Sequence, residues 1–589
     1  MFIINCVKDG RKDKFILKFQ YEPNLISKIK EIHYEDREYL PKEKLWKLKT
    51  YSLYLLMKEY KGRNDIFFKF QNDKEKNYFQ KKVKKKINEI KDYDRRKKEL
   101  EEKKEYWLNY KEQLKETYKV HEDKLHQKLK DGVKLYPYQS QAVLFADAIR
   151  NVLFALDMGT GKSVISISFS EFNNFNKVFV ITPKSLKFNY YDEINKFTYS
   201  KAHVINWKKN EYSIEEAKYI IINYDFFRSK NSIEKFEKLG IDNIECLILD
   251  ECHRIKNEKS QTYNNIKDIF DDKIFLNETP CKVFMSGTPM NNRAYELYTV
   301  MNMLSPLDFP NKTTFYQDYC GMTYNPDSFD KWDYDPKQTN FESLYEKISP
   351  YIFRKRKEEV LKFLPGKTYD RILFELNSKE RKQYNDILNE VKEDLDGKLV
   401  KINPMTAMLK VRQYLSNLKV RNKDLHEFID LMIESGEKIV IMDYFVEGLE
   451  YLHDKYKDIS VLHYGNTSPE DRREMVKLFQ DKESNVKIFF STVQTGKEGL
   501  TLTAASKIVV LTEPYTVGEN DQIVDRLDRI SQTKKVNVYY PLYLETVDIK
   551  VFYLVEEKKK EIRLVLDNEK YETKMNDSVI NELISDLKK

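Results

Sequence analysis

Leu247-Ile-Leu-Asp-Glu-Cys-His-Arg-Ile-Lys-Asn257 decides how the rest of the chain is read. A short apolar run ends on two adjacent carboxylates, Asp250 and Glu251. Runs of this kind suit strands buried on both faces of a parallel sheet. A hard cation such as Mg²⁺ prefers oxygen ligands and keeps several waters. One carboxylate at a strand end can hold such an ion, and the next can face the water that attacks a phosphate. Upstream lies Asp157-Met-Gly-Thr-Gly-Lys-Ser163, a glycine turn ending in Lys-Ser. Together the two stretches read as a nucleoside triphosphate hydrolysis site.

A phosphate-cradling loop needs small residues, so that backbone N–H groups converge on oxygens at a helix N-terminus. Gly159 and Gly161 meet that need, with Met158 and Thr160 between and before them. Lys162 would reach the β- and γ-phosphates, and the Ser163 hydroxyl would ligate Mg²⁺ beside Asp250. Leu156 stands where the strict pattern has its first glycine. In Leu135-Tyr-Pro-Tyr-Gln-Ser-Gln141, Gln139 offers an amide suited to the edge of adenine. Met285-Ser-Gly-Thr-Pro-Met-Asn-Asn292 ends a strand in hydroxyl and amide groups suited to sensing the γ-phosphate. One Cys and one His beside two acids, Cys252 and His253, do not make a zinc set. His253 reads as a polar link from hydrolysis site to lobe interface.

Apolar runs recur around these motifs, at 151–155, 178–181, 219–222, 246–249 and 283–285. A second set follows at 438–442, 486–490, 507–511 and 536–540. Two α/β lobes with parallel sheets are the economical reading. The 589 residues allow roughly three to five domains. No apolar run approaches the ~20 residues of a membrane span, and the first residues lack a signal-peptide pattern. Five cysteines without paired spacing point to a reducing compartment, so a cytoplasmic setting is expected, in a bacterium or a virus-infected host. Net charge is +8, and residues 81–130 hold 18 Lys/Arg against 11 Asp/Glu. That stretch suits either a polyanion contact or a solvated spacer. Its lack of Pro and Gly predicts one long helix or a helical hairpin, with Trp107, Tyr110, Leu114 and Tyr118 near one face.

Asp250-Glu-Cys-His-Arg-Ile-Lys-Asn257 resembles the Asp-Glu-Ala-His-Arg-Ile-Lys-Asn of the Swi/Snf-type ATPases in helicase superfamily two. The phosphate loop is similar to that family's Asp-Glu-Met-Gly-Leu-Gly-Lys-Thr, with Leu156 and Asp157 at the Asp-Glu pair. Ser286-Gly-Thr-Pro289 matches too, as does Pro350-Tyr-Ile-Phe-Arg-Lys-Arg-Lys-Glu-Glu-Val360 followed by Leu364-Pro-Gly-Lys367. Gln522-Ile-Val-Asp-Arg-Leu-Asp-Arg-Ile-Ser-Gln532 resembles the family's arginine motif, with Asp528 in place of His and Ser531 in place of Gly. The resemblance makes Arg529 an arginine finger and Arg526 its partner, on a helix. It implies ATP and Mg²⁺ as substrate and cofactor, and two tandem RecA-like lobes. Thr182-Pro-Lys-Ser185 and Ser491-Thr-Val-Gln-Thr-Gly-Lys-Glu-Gly-Leu-Thr-Leu502 resemble loops that hold one strand of duplex DNA. Thr182, Lys184, Ser491 and Lys497 are then the expected phosphate contacts.

The N-terminal stretch Phe15 to Met57 resembles the small HepA-related (HARP-like) module of annealing helicases. A small α+β module with another binding role is the alternative. The expected organisation is an α+β module at 1–75, a basic helical linker at 76–132, an ATP-binding lobe at 133–310, and a helical insertion and link at 311–430. The second lobe follows at 431–565, with a polar tail at 566–589. The leading expectation is an ATP-dependent translocase on double-stranded or branched DNA, with annealing or fork remodelling as a narrower form. A strand-separating DNA or RNA helicase is one alternative, and a non-catalytic nucleic-acid-binding scaffold is another.

Overall fold

The computed structural model describes residues 2–10, 13–33, 36–61, 66–205, 216–241, 243–271, 280–325, 332–361, 364–395, 404–496, 500–529 and 531–569. The chain divides into two compact units, Met1–Glu105 and Tyr106–Lys589.

In the first unit, β1 (Phe2–Lys8) and β2 (Lys14–Lys18) precede α1 (Pro23–Glu31). Then β3 (Arg37–Leu40) and β4 (Leu45–Lys49) precede α2 (Thr50–Glu59), β5 (Ile66–Phe70) and α3 (Asp73–Thr117). The sheet order is β3-β4-β2-β1-β5, antiparallel except for the parallel β1–β5 pair. Period-two alternation puts Ile4, Cys6, Phe15, Leu17, Trp46 and Leu48 on one face. Leu25 and Ile29 of α1, Leu53 and Leu56 of α2, and Phe79 and Val83 of α3 share the same core. Pro23 and the Glu22 carboxylate, which accepts from the Leu25 N–H, start α1.

Residues 81–117 of the charged stretch belong to one continuous helix, α3, and a 3-10 turn (Tyr118–His121) and a short helix (Glu122–His126) follow it. The C-terminal part of α3 belongs to the second unit. Trp107 and Leu114 are buried there. The Trp107 ring meets Tyr351 edge-on at 5.9 Å, and Lys111 Nζ donates to the Ile352 carbonyl at 2.7 Å. This end of the stretch is docked on its own unit, where a fully solvated spacer would have no buried face.

The second unit continues with α4 (Pro137–Ile149), β6 (Asn151–Leu156), α5 (Lys162–Phe172), β7 (Val178–Thr182) and α6 (Lys187–Phe197). Four strands complete the first run: β8 (Ala202–Val204), β9 (Tyr219–Asn223), β10 (Cys246–Asp250) and β11 (Cys281–Ser286). A hairpin, β12 (Cys320–Tyr324) and β13 (Trp332–Thr339), and then β14 (Ile352–Lys355) follow. The first-lobe sheet runs β14-β6-β11-β10-β7-β9-β8, all parallel. The carboxyl ends of β6, β11, β10 and β7 therefore lie side by side, where ligands bind in open α/β sheets.

The second lobe contains β15 (Lys367–Phe374), β16 (Ile439–Asp443), β17 (Ser460–His463), β18 (Ile488–Thr492) and β19 (Lys507–Val510). It ends with α7 (Val517–Val524), β20 (Val536–Tyr543) and α8 (Val547–Asp567). Its sheet order is β15-β20-β19-β16-β18-β17, again all parallel.

The expected insertion at 311–430 is not separate from the lobes, because it lends an edge strand to each. β14 pairs with β6 (Phe353 opposite Phe154), and β15 pairs with β20 along all eight residues. Edge strands are covered on fewer sides and keep polar residues, so neither shows the continuous apolar run of a central strand. The expected tail lies almost wholly outside the described residues.

Candidate active site

Two glycines shape the loop between β6 and α5. Gly159 and Gly161 both have φ near +79°, a region that strains any side chain. A Cβ on Gly161 would also stand 2.5 Å from Gln139 Nε2. Thr160 Oγ1 donates to the Asp157 carbonyl at 2.7 Å, and its own carbonyl accepts from Tyr138 OH at 2.7 Å and Gln139 Nε2 at 3.1 Å. Lys162 Nζ donates to the Leu156 and Asp157 carbonyls at 3.0 and 3.3 Å. Gln139 is buried beneath this loop, with Oε1 accepting from the Tyr136 N–H at 2.9 Å. Both ends of its amide hold up the phosphate loop, and it does not line the cleft.

The acidic strand end is held equally firmly. Asp250 Oδ2 accepts from Thr182 Oγ1 at 2.9 Å, and the Asp250 carbonyl accepts from Tyr224 OH at 2.8 Å. Glu251 sits at φ 54°, ψ 54°, a left-handed conformation uncommon for a residue with a long side chain. That turn swings its carboxylate out of the strand direction. Glu251 Oε2 then accepts from Ser286 Oγ at 3.1 Å and lies 3.2 Å from His253 Nδ1. His253 Nδ1 and Ser286 Oγ meet at 3.0 Å, closing a triangle between the ends of β10 and β11. Burial, and then the charge of Glu251, push the Asp250 carboxyl up. Burial also opposes ionisation of Glu251, but the His253 hydrogen bond and charge, Lys162 and Ser286 outweigh it and hold that carboxyl low.

Ser163 opens α5 beside this pair. Burial opposes ionisation of the Glu193 carboxyl, which lines the same cavity, while the Ser163 hydroxyl and then Lys196 favour it. Among the described residues no three His, Cys, Asp or Glu side chains form a self-sufficient metal cluster. Mg²⁺ characteristically takes one or two protein oxygens and completes its shell with waters and substrate phosphates. The Ser163 hydroxyl and Asp250 carboxylate, on one wall of the cleft, fit that pattern.

The opposite wall comes from the second lobe. One cavity of about 430 Å³ is lined by Lys162, Ser163, Asp250 and Glu251 on one side and Arg526 and Arg529 on the other. The two arginines are not on a helix, as their spacing suggests, but on the turn after α7. Two carbonyls that a continuing helix would use are taken elsewhere. Leu502 N–H donates to Arg526 O at 2.9 Å, and Lys357 Nζ donates to Asp528 O at 2.7 Å. Arg526 Nη2 reaches Met158 Sδ across the cleft at 3.7 Å, and Arg529 Nη1 donates to Thr501 Oγ1.

The segment joining the lobes ties the two walls together. Arg354 Nη1 donates to Asp157 Oδ1 at 2.8 Å and Nε to Asp567 Oδ1 at 2.9 Å. The Lys357 N–H donates to Asp157 Oδ2 at 2.9 Å, while its Nζ donates to Asp525 Oδ1 at 2.9 Å and Asp528 Oδ2 at 3.2 Å. Lys367 Nζ meets Asp525 Oδ1 at 2.6 Å and Asp528 Oδ2 at 3.3 Å. Asp528, the departure from the arginine motif, is thus an anchor for two lysines. Asp157, expected in the nucleotide site, holds the link. Lys357 and Lys367 stand in the sequence only as parts of the link motif, because their anchoring role comes from carboxylates more than 150 residues away.

A model described as SNF2-related domain matches residues 125–425, half of the chain. The chain belongs to the SNF2-related family. A second model, the helicase conserved C-terminal domain, matches residues 421–531 of this SNF2-related chain. An uncharacterized ATP-dependent helicase of Mycoplasma pneumoniae is 25% identical over 75% of the chain and 43% of its own length. The SWI/SNF-related matrix-associated actin-dependent regulator of chromatin subfamily A-like protein 1 of Xenopus tropicalis is 26% identical over 73% of the chain and 44% of its length. The human DNA annealing helicase and endonuclease ZRANB3 is 24% identical over 72% of the chain and 40% of its length. The chain spans less than half the length of these curated relatives.

The loops expected to track DNA divide. Lys184 is exposed at the carboxyl end of β7. Thr182 and Ser491 are fully buried. The Thr182 hydroxyl orients Asp250, and Ser491 Oγ pairs with His463 Nδ1 at 3.1 Å. In this conformation neither presents an atom to a phosphate, because the carboxyl-terminal residues of these parallel strands still lie inside the lobes. Lys497 lies outside the described residues. Among the described residues no helix is long and apolar enough to cross a membrane.

Proposed function

We propose that this SNF2-related chain hydrolyses ATP and uses the cycle to move along duplex DNA. One observation carries the reading: a single cleft is walled by a phosphate loop and paired carboxylates from one lobe and two arginines from the other. Lys162 binds the β- and γ-phosphates, Ser163 and Asp250 hold Mg²⁺, and Glu251 orients or deprotonates the attacking water. When bound, Mg²⁺ neutralises charge on the β- and γ-phosphates. Arg529, with Arg526 beside it, stabilises the charge of the transition state when the lobes close. Closure and opening alternate the grip of the lobes on the backbone. Lys184 is placed to contact phosphate in that grip, and such contacts position without reading sequence.

The test is the rate of ATP turnover by purified protein with duplex, forked and single-stranded DNA. Turnover stimulated most by DNA containing a duplex is expected, with stimulation falling as salt rises. No turnover with any of these would end the proposal, and robust unwinding of a tailed duplex would favour a strand-separating helicase. The independently folded sheet and helices of Met1–Glu105, together with the printed name of the ZRANB3 relative, support a narrower form in which the substrate is forked or bubbled DNA that is re-annealed.

A further inference from the structure

Glu193 lies on α6, opposite the start of α5, and the hydrolysis proposed above leaves it without a task. A hydrogen bond joins these helices: Ser166 Oγ and the OH of buried Tyr190 meet at 2.6 Å. Residues three apart share a helix face, so Ser163 lies on the face of α5 that carries this bond and Glu193 on the face of α6 that carries it. The Ser163 hydroxyl favours ionisation of the Glu193 carboxyl. Glu193 lines the same cavity as Lys162, Asp250 and Glu251. Its Oε2 is buried and receives no hydrogen bond from the described residues.

A hydroxyl has one proton and two lone-pair directions. To ligate a cation it must turn a lone pair toward the ion and give its proton to a third group. Carboxylates beside metal ligands commonly play that part. An ion that keeps several waters also needs acceptors for their protons.

We propose that Glu193 is a positioning residue of the metal centre: it accepts the Ser163 proton, aims the Ser163 lone pair at Mg²⁺, and offers Oε2 to a water of the metal's shell. The proposal rests on the ATPase reading. It is tested on the full chain by titrating Mg²⁺, and separately Mn²⁺ followed by its spin-resonance signal, into protein mixed with a fluorescent ADP analogue. Glu193→Gln is expected to raise the half-saturating metal concentration about tenfold, the low end for loss of such a partner. Affinity for the analogue without metal should not change, and neither should the unfolding temperature. Glu193→Asp, which keeps an acceptor, should recover part of the loss. In a Ser163→Ala background, Glu193→Gln should add little. A wild-type metal requirement in Glu193→Gln, or an equal loss of metal-free binding, would overturn the assignment alone. A wild-type protein with no metal-dependent nucleotide binding would overturn the ATPase reading and the assignment with it.

Discussion

Glu251 is the residue whose removal separates binding from chemistry. Its left-handed backbone and its partners Ser286 and His253 fix its carboxylate at the end of β10. Glu251→Gln keeps the shape and removes the base. Hydrolysis should slow by ~10²–10⁴, the usual worth of general-base catalysis, with ATP affinity within a few-fold of wild type. Single-turnover hydrolysis beside equilibrium binding checks both. At this scale Lys162, Ser163, Asp250 and Glu251 were legible in the sequence because each is adjacent to residues of the same chemistry. Thr182 and Glu193 were not, since their tasks exist only once β7 lies beside β10 and α6 beside α5. The support that Gln139 gives the phosphate loop was hidden for the same reason, because an isolated amide shows neither Thr160 nor Tyr136 as its partner.

Among elements, the segment from β14 to Lys367 does most to unite the site. Lys357 and Asp525 are both nearly inaccessible, so breaking their pair leaves a buried charge. The ordinary cost is about 3–5 kcal/mol, and Lys367 remains on Asp525, so Lys357→Met should cost near the lower figure. Burial opposes the Asp525 carboxylate, but Lys367 and Lys357 lower its pKa from 3.8 to about 2. A lowered acid contributes stability above its unfolded pKa and loses it as pH falls through the folded value. Wild type and Lys357→Met should therefore differ most above about pH 4 and converge toward pH 2, as followed by unfolding at several pH values. A gap that widens on acidification would contradict the pairing.

The lobes also touch at α7. A Cβ on Gly518 would lie 2.1 Å from Asn291 Oδ1 and 3.1 Å from Thr288 Cβ of the first lobe. Gly518→Ala should obstruct this closed arrangement and lower kcat at least tenfold, with nucleotide binding to the first lobe retained. Equal kcat would mean that hydrolysis does not pass through this arrangement. The central strands of both sheets were readable from their continuous apolar runs. The edge strands β14 and β15 were not, and the arginine turn read as a helix because its spacing alone cannot show which carbonyls other residues take.

At the scale of the molecule, α8 returns from the second lobe to the first. Glu561 accepts from Arg293 Nη1 at 2.9 Å and from the Ala294 N–H at 2.6 Å, and Lys558 Nζ donates to Asn292 Oδ1 at 2.9 Å. The closed cleft therefore rests on contacts well away from phosphate. The unit Met1–Glu105 folds around its own core, so removing residues 1–75 should spare basal ATP turnover and abolish a preference for forked over plain duplex DNA. An unchanged preference would detach that unit from substrate choice. The most direct test of a site divided between lobes is steady-state ATP hydrolysis by wild type and Arg529→Ala with saturating duplex DNA. A loss of ~10³ or more with nucleotide binding retained is expected of an arginine that acts only in the transition state; turnover by Arg529→Ala equal to wild type would show that the second lobe does not complete the site.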